Sequence, residues 1–124
     1  MGHMSNKIAF DEFEKAIKSF DLALQAPKTD LNRDATIQRF EFCVELSWKL
    51  SRKTLGLLSN APKTIVRELA QEGMIDSAEK WIDYLDLRNL TSHTYKEELA
   101  ELVYSKCRPF LDDVKKLYKN LRAY

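Results

Sequence analysis

The sequence predicts an all-α fold: an antiparallel up-and-down bundle of four main helices plus one short helix. Three observations carry this. Apolar residues recur at intervals of three and four along nearly the whole chain, with no alternating strand pattern. Three glycines and three prolines fall near plausible ends of elements. The 124 residues, 44% of them hydrophobic, suit one domain with a real core.

The first helix is expected from about Asn6 to Ala26, where Phe10, Phe13, Ile17, Phe20 and Leu24 line one face. The polar stretch 27–33 reads as a loop. The second helix is expected from about Asp34 to Leu58. Ile37, Phe40, Val44, Trp48, Ser51 and Leu55 form one face, and Phe42, Leu46, Leu50 and Leu57 a second. The polar strip left over is narrow: Glu41, Glu45, Lys49 and Arg52, with Glu45 and Lys49 in the favourable i,i+4 order. A helix apolar around most of its circumference is either central in the bundle or shared with a partner chain.

The third helix is short, with Pro62 in its first turn and Gly73 just past its end. Ile65, Val66 and Leu69 would face inward. The fourth opens at Asp76 or Ser77, where Asp76 and Glu79 fit a capping box, and Trp81, Ile82 and Leu85 supply its apolar side. The last begins near Thr94, with Thr94 and Glu97 as a capping-box pair. Leu99, Val103, Cys107, Phe110, Val114, Leu117 and Leu121 then hold helical spacing to the end. Cys107 lies in that row and reads as a core thiol. Pro109 removes a backbone donor and should kink or split the helix.

A formal net charge of +1 gives no global field for nucleic acid, so any RNA contact must rest on a local patch. Arg33, Arg39, Arg52, Lys53, Lys106 and Arg108 are candidates for such a groove. Lys115, Lys116, Lys119 and Arg122 suit a solvated helix end that complements the helix dipole. No apolar run is long enough to span a membrane, and Cys43 and Cys107 make no metal spacing. A cytoplasmic, reduced protein is expected. The opening MGHM looks like a tag remnant joined to Met4, so residues 1–3 are set aside and 4–124 read as one domain.

The most informative stretch is RNLTSHTYKEEL, residues 88–99. In one straight helix Arg88 and His93 would point roughly 140° apart. A break between about Leu90 and Thr94 frees His93 to turn back toward Arg88, and sets it before a helix start, where backbone N–H groups favour phosphate. An imidazole moves protons near neutral pH, and a guanidinium holds a phosphate at two points. The ribose 2′-hydroxyl is itself a nucleophile, so RNA cleavage needs no protein nucleophile, metal or cofactor. Asn89 could orient the phosphate or the imidazole. A histidine at a helix end can equally cap carbonyls, an arginine can belong to a solvated face, and Tyr95 by itself fits a surface or interface ring. Spacing does not separate these readings.

RNLTSHTY resembles the Arg-x4-His-x-Tyr motif of HEPN-domain proteins of the HepT type, including nucleotidyltransferase substrate-binding proteins. RFEFCVELSWKLSRKTL (39–55), PKTIVRELAQEGMID (62–76) and WIDYLDLRNLTSHTY (81–95) are similar to the family's second helix, third helix and motif block. The resemblance implies a helical homodimer with both motifs facing one cleft, and a minimal nucleotidyltransferase encoded nearby as partner. It implies a metal-independent ribonuclease toxin, silenced when that antitoxin attaches AMP to the motif tyrosine. By position, Arg88 and His93 would be catalytic, Asn89 supporting and Tyr95 the acceptor. The alternative within the family is a non-catalytic substrate-binding subunit of a two-component nucleotidyltransferase.

Overall fold

The computed structural model describes residues 2–124, with side chains from Lys7 onward. Met1 lies outside the described residues. Five α-helices follow one another: α1 (Gly2–Gln25), α2 (Asp30–Leu55), α3 (Pro62–Gln71), α4 (Ala78–Leu90) and α5 (Glu97–Ala123). A 3-10 turn, Thr91–His93, lies between α4 and α5. No strand occurs among the described residues, and no described helix is long and apolar enough to cross a membrane. The expected all-α bundle of four long helices and one short one is the fold observed.

Helix α2 touches α1, α3, α4, α5 and the 3-10 turn, so it is the central helix. Its two apolar faces serve this placement: Ile37, Phe40, Val44 and Leu50 are buried. Ser47 and Ser51 are buried too, and each hydroxyl donates to the carbonyl four residues earlier, so neither is left without a partner. Phe42, from the second face, remains 53% exposed.

The core centres on aromatic rings. Phe110 is fully buried and meets Tyr84 at 4.8 Å, Phe40 at 5.0 Å, Trp81 at 5.4 Å and Phe20 at 5.9 Å between centroids. Such tilted and edge contacts add about 0.5–1.5 kcal/mol per pair beyond area burial. Cys43 and Cys107 are buried free thiols, and burial pushes the pKa of each up to about 12, so both stay protonated and inert.

Three expectations about helix ends are corrected, and one about a break inside a helix. Helix α2 starts at Asp30, inside the expected loop, because the Thr29 hydroxyl accepts from Asn32 N–H at 3.0 Å and caps it. It ends at Leu55, short of Leu58: Gly56 takes φ +66° and Leu57 N–H bonds back to the Arg52 carbonyl at 2.9 Å. Helix α4 is capped by Ser77, whose hydroxyl accepts from Lys80 N–H, with no Asp76–Glu79 box. Helix α5 is not split at Pro109: one helix continues from Glu97 to Ala123. Pro109 and Ser105, whose carbonyl loses its donor, are both exposed, so water can replace the missing bond.

Candidate functional site

The junction between α4 and α5 owes its shape to three hydroxyl-bearing residues. Thr91 Oγ1 donates to the Arg88 carbonyl at 2.7 Å, Ser92 Oγ to the Asn89 carbonyl at 3.3 Å, and Thr94 Oγ1 to the Thr91 carbonyl at 3.0 Å. Each bond satisfies a carbonyl at or just past the end of α4 and tightens the backbone into the 3-10 turn. Thr94 is therefore not the cap of α5. Its φ of −75° and ψ of 2° are not the extended geometry a cap needs, whereas Lys96 has φ −83° and ψ 121° and caps the helix without a side-chain bond. The break falls where the sequence places it, but His93 closes a 3-10 turn and does not stand at a helix start. The first turn of α5 carries its own negative groups, Glu97 and Glu98.

Arg88 sits in the last turn of α4 and reaches across to α2. Its Nε lies 2.8 Å from Glu45 Oε1, in ion-pair contact though not aligned as a hydrogen bond, and Nη2 lies 3.5 Å from Glu41 Oε2. Glu41 and Glu45 stand one turn apart on α2, so they present two carboxylates to one guanidinium. Arg88 keeps 31% of its side chain exposed, enough for a phosphate to reach it. His93 is exposed, and Tyr95 is 78% exposed with its ring 6.2 Å from the imidazole, edge to face.

Arg88 and Asn89 also line a cavity of about 310 Å³. Glu45 and Trp48 of α2 form one wall, Leu85 of α4 another, and Pro62 and Lys63 at the start of α3 a third. His93 and Tyr95 do not line it. The structure thus joins Arg88 to Asn89 at the cavity and His93 to Tyr95 on the exposed turn, with the short 3-10 turn linking the two pairs. Among the described residues, no group of three or more His, Cys, Asp or Glu side chains is placed to hold a metal.

The basic residues considered for an RNA groove are mostly engaged elsewhere. Arg33 is 5% exposed and ion-paired with Glu97, Glu101 and Asp34. Its hydrogen bonds to the Glu97 and Glu101 carboxylates hold its guanidinium pKa above the usual value, so it is a staple between α2 and α5 and no groove residue. Arg39 donates to Ser19 Oγ, Arg52 to the Ser59 carbonyl and Arg108 to the Leu24 carbonyl. Lys115, expected on a solvated end, pairs with Asp21 at 2.8 Å. The carboxylates facing Arg88 are what the sequence reading missed. Their signal was the narrow polar strip on an otherwise apolar helix, to which no partner was assigned.

With this geometry in view, the relatives are informative. A family described as "Nucleotidyltransferase substrate binding protein like" matches residues 8–123. A curated Haemophilus influenzae protein named "Probable ribonuclease HepT" is 38% identical over 94 residues, which cover 69% of this chain and 64% of that protein. The match therefore spans less than two thirds of that relative's length. A crystallised Thermus thermophilus protein superposes with a TM-score of 0.82 at 31% identity, over 89% of this chain and 98% of the other. A Haemophilus influenzae structure, described as revealing the fold of a substrate binding domain of a nucleotidyltransferase, gives a TM-score of 0.67 at 33% identity, over 95% and 97%. The chain belongs to the nucleotidyltransferase substrate binding protein like family.

Proposed function

We propose that this protein is a metal-independent endoribonuclease toxin, working as a homodimer, and that a partner minimal nucleotidyltransferase silences it by attaching AMP to Tyr95. The observation that carries the reading is the junction: an anchored but reachable Arg88 in the last turn of α4 and an exposed His93 that closes the three-residue turn after it. The curated relative named as a ribonuclease supports the same class.

The chemistry is transesterification. A ribose 2′-oxygen attacks the adjacent phosphorus, the 5′-oxygen leaves, and a 2′,3′-cyclic phosphate remains. His93 takes the 2′ proton or supplies the one the leaving oxygen needs, and the second copy in a dimer supplies the other role. Arg88 offsets the charge that grows on the phosphorane oxygens, and Asn89 orients the phosphate. AMP transfer from ATP to the Tyr95 hydroxyl, with release of pyrophosphate, would place a negative phosphate beside His93 and within the field of Arg88. That charge would compete with the RNA backbone.

Incubating unmodified protein with RNA in chelator should yield cyclic phosphate ends. His93→Ala should abolish cutting, by at least about a hundredfold, while the helical circular dichroism is retained. Intact RNA after incubation with the unmodified dimer would count against the proposal. A second reading, a non-catalytic subunit that presents a substrate to a nucleotidyltransferase, draws support from the described fold of the second structural relative. It requires nucleotide transfer to an acceptor other than Tyr95. Mass spectrometry after co-expression that finds Tyr95 as sole acceptor removes it.

A further inference from the structure

We propose that the cavity between α2, α3 and α4 is a nucleobase site that prefers guanine over uracil, holding the base of one RNA nucleotide while Arg88 holds its phosphate. The inference rests on the ribonuclease reading and adds a base preference to it.

The cavity's volume, about 310 Å³, is at the small end of small-molecule sites. It suits a base with its sugar. Trp48 supplies aromatic surface and Leu85 an apolar wall. Base-on-aromatic stacking contributes about 1–3 kcal/mol per base. Two polar side chains then set the edge to be read. Glu45 offers carboxylate oxygens, which only accept, and Asn89 offers an amide that both donates and accepts. Guanine presents a ring N–H and an amino group side by side to an acceptor. Uracil presents one N–H between two carbonyls, which a carboxylate repels. Glu45 is already paired with Arg88 and Lys49, so the site discriminates by like-charge repulsion of uracil's carbonyls, while the remaining lone pairs of the carboxylate accept from guanine.

The phosphate end has matching charge. Arg88 lies on the lining, and Lys63 stands beside it, paired with Asp86 at 3.1 Å on the exposed side. Trp48 Nε1 and Arg88 Nε are both closed off from solvent and have no aligned hydrogen-bond acceptor. Arg88 Nε still meets the Glu45 carboxylate at 2.8 Å, so Trp48 Nε1 is the donor on this lining left without a partner, an uncommon state for a buried polar atom.

Trp48 and Trp81 are the two tryptophans of the chain, so an indole N–H spectrum gives two signals, one at the cavity and one buried against Phe110. Titration with guanosine monophosphate should move the Trp48 signal to saturation and leave Trp81 in place. Guanosine monophosphate should bind about tenfold more tightly than uridine monophosphate. Inorganic phosphate should not reproduce the shift. Ala61→Leu adds bulk at the cavity lining from an exposed position, and should weaken guanosine monophosphate about tenfold with the melting temperature held. In RNA digests the same variant should lose the preference for cuts beside guanine. A Trp48 signal that guanosine monophosphate leaves unmoved, equal binding of both nucleotides, or an equal response to phosphate overturns the site. RNA cutting with no base preference and no nucleotide binding overturns the site alone and leaves the nuclease standing. Nucleotide binding by a protein that never cuts RNA supports the site and removes the nuclease.

Discussion

Two regions of this molecule are built on opposite principles. Phe110 and the four aromatic rings around it, drawn from four helices in all, fill the interior, and the contacts are apolar and long-range in sequence. At the α4–α5 junction almost nothing is buried. Hydroxyl-to-carbonyl bonds spanning three residues fix the backbone, and one ion cluster, Arg88 with Glu41 and Glu45, fixes the guanidinium. The difference teaches where each kind of substitution acts. The core sets whether the chain folds, and the junction sets what the folded chain presents to solvent.

Single substitutions put this contrast at risk most directly. Phe110→Ala removes a fully buried ring and should cost about 3–5 kcal/mol, seen as a fall of roughly 10–20 °C in Tm. Thr91→Val keeps the branched shape but deletes the donor to the Arg88 carbonyl. It should cost about 1 kcal/mol in chemical denaturation, with a larger relative loss of RNA cleavage. A stability loss matching that of Phe110→Ala would erase the distinction between the regions. The smallest effect is electrostatic and belongs to the start of α5. Lys28 first, and then Arg33, hold the Glu101 carboxyl below its ordinary value of 4.5. A depressed carboxyl stabilises the fold above its unfolded pKa and ceases to as pH falls through the folded one. Stability should therefore decline as pH drops below 4.5, and Glu101→Gln should flatten that decline.

Much of the bundle was legible because helical spacing is a local signal. The row picked out on α1 is buried throughout, and that on α5 from Val103 on, while Leu99 is only half-buried and Ala100 and Leu111 join the core unforeseen. Helix ends were less legible, because several residues nearby could each serve as cap. Thr94 had a competing carbonyl at Thr91 and took it, and Ser77 prevailed over its neighbour Asp76. Pro109 was read correctly as a lost hydrogen bond, but an exposed carbonyl makes that loss tolerable. At the site, Arg88, Asn89, His93 and Tyr95 could be singled out from eight consecutive residues. Their partners could not. Glu41 and Glu45 lie more than forty positions upstream, and the cavity exists only once three helices meet. The same limit hid the Arg33 cluster, in which two of the three carboxylates come from α5.

The anchoring of Arg88 to α2 has a consequence for speed as well as for shape. The turns of α2 that carry Glu41 and Glu45 outward carry Phe40, Cys43 and Val44 inward, all fully buried. The guanidinium is thus moored to a helix turn whose inner side is packed into the core, before any anion arrives. Much of the conformational entropy that a free arginine would surrender on capturing a phosphate has already been lost during folding.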